Sequence, residues 1–101
     1  MEKTLGIYVS SDQNMEQLLQ LCGAAGKKGV NVAVFLTHTG TRLSQHPRFA
    51  ELTALAKVAL CKVGFEANGL TAAPEGLKDA DLASQSWHAE MIYDCDRYLT
   101  F

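Results

Sequence analysis

Apolar and polar blocks alternate along the chain, and the period inside the apolar blocks changes from one to the next. Leu5-Gly6-Ile7-Tyr8-Val9-Ser10 is a short apolar run, partly β-branched and aromatic, closed by the turn formers Ser11, Asp12 and Asn14. It predicts a first strand. Met15, Leu18, Leu19, Cys22 and Ala25 then recur at helical spacing until Gly26 and Gly29 stop the run, with Asn14 and Gln17 reading as a capping pair. Val30 to Thr37 is again nearly continuous and of strand length, the mark of a strand covered on both faces of a parallel sheet. Strand, helix and strand form a βαβ unit with a right-handed crossover expected.

The polar stretch His38 to His46 is predicted as the loop leaving the carboxyl end of the second strand, where function tends to collect in this architecture. Pro47 suits the first turn of a short helix striped by Phe49, Leu52, Leu55 and Ala56. Lys57 to Lys62 predicts a third strand, and Gly64 to Asn68 a helical turn with Gly69 as its C-cap. Residues 71–76 read as a connector, Asp79 or Asp81 as the cap of a last helix carrying Ala80, Ala83, Trp87 and Met91 on one side, and Asp96 to Phe101 as a terminal strand. This alternation predicts an α/β protein, a doubly wound three-layer α/β/α sandwich of four to five mostly parallel strands.

Composition narrows what such a domain does. The 101 residues suit one domain, 1–101, with a single core. With 48% apolar and 20% charged residues the chain is globular, and no disordered tail is expected. A net charge of −2 and nine scattered Lys and Arg argue against nucleic-acid binding. No signal-peptide core and no span of about twenty apolar residues is present, so a soluble, cytoplasmic protein without a membrane partner is expected. Three cysteines without CxxC or finger spacing argue against a disulfide framework and a structural zinc site, leaving at least one free thiol.

Cys61 is the nucleophile best placed by the pattern, at the predicted end of a buried strand and the start of a helical turn. Helix N–H groups together with Lys57 or Lys62 would favour its thiolate; the alternative is a buried cysteine used as a small apolar residue. Cys22 lies on the apolar stripe of the first helix and reads as core, while Cys95 reads as packing or simple exposure, the alternative being a second relay thiol. His38 and His46 flank the loop expected beside Cys61, where one would act as base or electrostatic partner; Thr37, His38, Thr39, Gly40 and Thr41 offer hydroxyls and a glycine for a small anion pocket. The spacing of the two histidines fits no standard metal set, and His88 reads as a surface or interface residue. Neither GxGxxG nor GxxxxGK[ST] occurs, so no nucleotide or other cofactor is expected. Arg42 and Arg48 read as solvated charges, or as partners of a bound anion, and Trp87, Met91 and Tyr93 as an oligomer surface, the alternative for Trp87 and Met91 being packing on the sheet.

Cys61, Gly64 and Gly69-Leu70, the closing Asp96-Arg97-Tyr98-Leu99-Thr100-Phe101, and the apolar opening through Phe35-Leu36-Thr37 together give a chain that resembles the DsrE/DsrF-like family, which includes the Tus sulfur-relay and YchN-type small α/β proteins. The likeness covers most of the chain. It departs where a basic residue often precedes the glycine and this chain has Asn68. The resemblance implies a flavodoxin-like three-layer fold, assembly into trimers or hexamers, and, as in some members, a cysteine that carries sulfane sulfur as a persulfide between partner proteins. Cys61 would then be the carrier, with His38, Thr39, Thr41 and Lys62 lining its site. The alternatives are a non-catalytic oligomeric ligand- or partner-binding module of the same fold, and a thiol peroxide reductase, which needs a resolving cysteine and Arg help that the pattern does not supply.

Overall fold

Five parallel strands form the centre of the molecule, ordered β4-β3-β2-β1-β5, in a computed structural model that describes residues 3–70 and 82–101. They are β1 (Thr4–Val9), β2 (Asn31–Leu36), β3 (Lys57–Cys61), β4 (Leu82–Ala83) and β5 (Arg97–Thr100). The helices are α1 (Met15–Lys27), α2 (Phe49–Leu55), α3 (Lys62–Ala67) and α4 (Gln85–Asp94), with a 3₁₀ segment at His38–Gln45. The chain thus folds as the expected α/β/α sandwich. No helix of the described residues is long and apolar enough to cross a membrane.

Strand order explains the two unequal faces. Three crossovers run in one direction, β1 to β2 to β3 to β4, and right-handed connections place their helices on one side; the return from β4 to β5 puts α4 on the other. The larger core joins Leu18, Leu19 and Cys22 of α1, Leu52 of α2 and Phe65 of α3 to Ile7, Val34 and Leu60 of the sheet. On the α4 face the buried set is Phe35, Ala59, Cys61 and Met91, with Tyr8 and Trp87 packed against it. Consecutive strand residues point to opposite faces, so Leu60 and Cys61 belong to different cores.

Both glycine stops have the same structural reason. Gly29 and Gly69 adopt φ +72° and +76°, where a side chain is strained. After α1, Gly29 N–H donates to Gly26 O and Val30 N–H to Ala25 O; after α3, Gly69 N–H donates to Glu66 O and Leu70 N–H to Phe65 O. These pairs of bonds satisfy the last carbonyls of each helix, and Val30 and Leu70 add the apolar contact that closes the turn.

Several local expectations need correction. Asn14 stands at the N-cap of α1 but its side chain makes no cap bond, so the predicted capping pair does not form. The stretch after β2 is a 3₁₀ segment with Gly40, Thr41, Leu43 and Ser44 buried, not an open loop, because Leu43 joins the larger core. Pro47 precedes α2, which begins at Phe49. Lys62 starts α3 instead of ending β3. The last helix begins at Gln85 and is capped by Ser84, whose Oγ accepts from Ser86 N–H; Ala83 belongs to β4. The connector at 71–76 and the proposed caps Asp79 and Asp81, with Ala80, lie outside the described residues.

Candidate functional site

The direction of the chain changes between β1 and β5, the usual ligand position in such sheets. Here that position is occupied by the chain itself: Phe101 N–H donates to Tyr8 O, and Phe101 O accepts from Ser10 N–H at 3.0 Å and Ser10 Oγ at 3.3 Å. The open space lies two strands away. A cleft of ≈ 620 Å³ at the carboxyl end of β3 is lined by Thr37, His38 and Thr39 after β2, by Cys61, by Val63, Gly64, Ala67 and Asn68 of α3, and by Ser84 and Gln85 of the α4 start. Its volume is in the range of small-ligand sites.

Cys61 is 8% exposed, so the thiol is recessed yet borders the cleft. Its backbone occupies the N-cap position of α3, and its side chain makes no cap bond. Of the other expected site residues, His38 and Thr39 line the same cleft. Thr39 Oγ1 donates to Ser10 O at 3.1 Å, tying the segment to the end of β1. Thr41 is fully buried, donating its hydroxyl to His38 O at 2.9 Å, and Lys62 is exposed outside the described lining. Lys57 begins β3 at the opposite end of the sheet and borders a different cleft with Trp87, Glu90, Met91 and Asp94. His46 also stays away, its Nδ1 accepting from Arg48 N–H at 3.0 Å in the turn before α2.

The wall that carries His38 is held by Asn68. Its Nδ2 donates to His38 O at 2.7 Å, Thr41 Oγ1 at 2.8 Å and Gly64 O at 3.0 Å, two hydrogens shared among three acceptors. His38 has φ 51°, a left-handed conformation that histidine enters more readily than most residues with a side chain, and these bonds to its carbonyl hold it there. Gly64 allows the close approach, since a Cβ there would lie 3.1 Å from His38 N. Asn68→Ala is therefore expected to lower stability by about 1–2 kcal/mol. Asn68→Asp, equal in size but without a donor, should cost more, because a carboxylate would face three oxygens; chemical denaturation of both variants checks the order.

The other two thiols have different surroundings. Cys22 is fully buried in the larger core, and burial pushes its pKa up to about 11, leaving it protonated and inert. Cys95 packs on β1, its Sγ 3.0 Å from where a Cβ of Gly6 would stand. Gly6, Ala33 and Lys57 share one level across β1, β2 and β3, and Cys61 lies beyond Lys57 on β3. Counting from 57 to 61, Cys61 is therefore about 13 Å further along and about 10 Å across from Cys95. A disulfide needs Cα atoms within roughly 7 Å, so Cys95 does not resolve Cys61 within one chain.

His88, expected as a surface or interface residue, is half-buried in an aromatic stack. Its ring lies 4.4 Å from that of Tyr8, 5.4 Å from Phe35 and 5.8 Å from Tyr98, while Trp87 stacks on Phe35 at 5.7 Å. Val63, Ala67, Ser84 and Gln85 were not anticipated in the site. The pair Val63 and Ala67, one turn apart around a helix whose Phe65 is buried, carries the sequence signal of an outward apolar edge.

Chemically, the described lining pairs one thiol and one imidazole with hydroxyls, amides and apolar surface, and no lysine, arginine or carboxylate borders it. No group of three or more metal-ligating side chains occurs among the described residues. No family model, curated protein or solved structure matches the chain.

Proposed function

We propose that the protein is a persulfide carrier whose working atom is Cys61 Sγ. The observation that carries the reading is the contrast among the thiols: Cys22 is core, Cys95 packs on β1, and Cys61 borders an open cleft at the carboxyl end of its strand. In the first half-step the Cys61 thiolate attacks the outer sulfur of a donor persulfide, R–S–SH. The new S–S bond gives Cys61–S–SH as the donor's S–S bond breaks and its electron pair leaves on the thiolate R–S⁻. An acceptor thiolate then attacks the same outer sulfur and returns Cys61 as thiolate. Neither half-step is a net oxidation, and neither calls for a metal or an organic cofactor. His38, which lines the same cleft, is the base nearest in kind to the task.

The lining also bears on the donor. A dianion such as thiosulfate would enter a largely apolar cleft with no described cationic side chain to replace its water, whereas a peptide-borne persulfide brings at most one charge at its sulfur. Homo-oligomeric assembly, protein donor and acceptor, and a cytoplasmic setting belong to this reading.

Intact-mass spectrometry after incubation with a sulfane-sulfur donor tests it. The expected result is a gain of one sulfur mass on the wild type, removed by reductant and absent from Cys61→Ser, with a persulfidated peptide loading at least tenfold faster than thiosulfate. The size and apolar lining of the cleft favour one second reading, a non-catalytic binding module. No adduct from any donor, or an equal adduct on the variant, would establish that reading instead.

A further inference from the structure

The two edges of the sheet are finished differently. β4 closes one edge with only Leu82 and Ala83, too short to template another strand. β5 closes the other in unbroken register with β1 from Arg97 to Thr100; all its residues are exposed, and among the described residues it pairs with β1 alone. The usual protections of an open edge, a proline, a lysine or a bulge, do not occur in it. α4 stands back from this edge, packing through Met91 at Gly6 of β1 and through Trp87 on Phe35 of β2. Of the exposed large apolar side chains among the described residues, Ile92, Tyr93, Tyr98 and Leu99 all lie on α4 and β5.

The backbone of β5 adds a direction to this surface. Phe101 N–H donates to Tyr8 O and Phe101 O accepts from Ser10 N–H, so Phe101 turns both groups toward β1. Direction alternates along a strand. Leu99 and Arg97 therefore face β1 in the same way, and the N–H and C=O of Tyr98 and Thr100 point away from it. Side chains alternate as well: Tyr98, bonded to His88, lies on the α4 face, and Leu99, beside Ile7 of the larger core, lies on the α1 face with Arg97.

We propose that β5 pairs antiparallel with β5 of a second copy about a twofold axis at Leu99, joining the two sheets into one. Tyr98 of each copy then stands opposite Thr100 of the other, and each pair exchanges N–H to C=O bonds in both directions, which satisfies every outward backbone group of the two residues. An axis at Tyr98 would instead set Thr100 against Asp96, whose N–H is already given to Thr4 O. Leu99 meets Leu99 across the axis in the closer, non-hydrogen-bonded pairing. Arg97 falls opposite Phe101 of the second copy. Ser10, bonded to that Phe101, is two strand spacings, ~10 Å, from Arg97, and Asp12 follows it in the turn into α1, on the face that Arg97 shares. The two Arg97 stand about 13 Å apart along the strands, beyond the screening length in physiological salt. The edge is thus complementary to itself in hydrogen bonds, apolar surface and charge, as a twofold contact requires.

This contact gives the homo-oligomeric part of the carrier reading a definite interface, and it does not depend on the chemistry of Cys61. An antiparallel join points the carboxyl ends of the two sheets in opposite directions, so the two clefts open at opposite ends of the dimer and one donor does not obstruct the other.

Sedimentation velocity of the full chain, from micromolar to submillimolar concentration, tests the contact. The wild type should move from the mass of one chain toward that of two. Leu99→Glu sets two carboxylates face to face on the axis, and Thr100→Pro removes an outward N–H without touching the bonds to β1; each should weaken dimerisation at least tenfold with the far-ultraviolet circular dichroism unchanged. Arg97→Asp should weaken it too, and adding Asp12→Arg should restore it. A monomer at every concentration, or an assembly that Leu99→Glu and Thr100→Pro leave unmoved, would overturn the proposal; failure of the charge exchange to restore the dimer would overturn this register. Sulfur loading of Cys61 should be the same in Leu99→Glu as in the wild type, so a dimer that does not load sulfur would keep the interface and remove the carrier.

Discussion

Gly40→Ala is expected to lower stability by about 3 kcal/mol or more, enough to leave the protein largely unfolded at moderate temperature. The reason is backbone against backbone. A Cβ at position 40 would stand 2.5 Å from Val9 O and 3.0 Å from Val9 C, and neither atom can rotate away as a side chain would. Val9 O is also committed, accepting from Thr37 N–H at 2.9 Å, while Gly40 N–H donates to Thr37 O at 2.8 Å. Relief would have to come from moving the whole 3₁₀ segment, with Thr41 and Leu43, off the end of β1. Gly23→Ala in α1 gives the matching control with the opposite sign. Nothing lies within 4 Å of a Cβ there, so the change should stabilise the helix by roughly 0.5–1 kcal/mol. Thermal and chemical denaturation of the two variants should move in opposite directions; a mild Gly40→Ala would mean that the segment rides more loosely on β1 than its bonds imply.

The parts legible from sequence are those decided by local chemistry. The first three strands, α1 and its glycine stop, and the turn at Gly69 follow from periodicity and from the two left-handed glycines. Cys61 at the carboxyl end of β3 and His38 on the next wall follow from the same pattern. What escaped depends on contacts far apart in the chain. β4 has two residues, too few to show any period, and its pairing of Cys61 with Ala83 is what brings Ser84 and Gln85 to the cleft. The segment after β2 is polar in composition, with buried positions set by Val9 and Leu43 and not by any repeat of its own. His88 reads as a surface or interface histidine because the three rings around it come from three different strands. Asn68, met as a departure from a basic position, turns out to hold the His38 wall together.

The unequal cores lead to the second large effect, on Phe35. Its ring is fully buried at the centre of the α4 face and is shared by Trp87 at 5.7 Å, His88 at 5.4 Å and Tyr8 at 6.5 Å. Phe35→Ala is expected to cost about 3–5 kcal/mol, from lost burial and from the cavity left among rings that cannot collapse onto an alanine. Phe35→Leu keeps most of the volume and loses mainly the stacking, so it should cost nearer 1–2 kcal/mol. Where the loss falls matters more than its size. The α1, α2 and α3 side has its own core, whereas α4 is held by Met91, Trp87 and the ring stack, so Phe35→Ala should free α4 before the sheet unfolds. Trp87 is the single tryptophan of the chain and sits on the affected helix, which gives the test a built-in probe. In the alanine variant its fluorescence should shift to the red at lower denaturant than the loss of far-ultraviolet circular dichroism, with the two signals remaining coincident in the wild type. Coincident transitions in Phe35→Ala would show that the two faces unfold as one unit. Separated transitions, with Cys61 becoming reactive at the first of them, would identify α4 as the movable wall of the cleft.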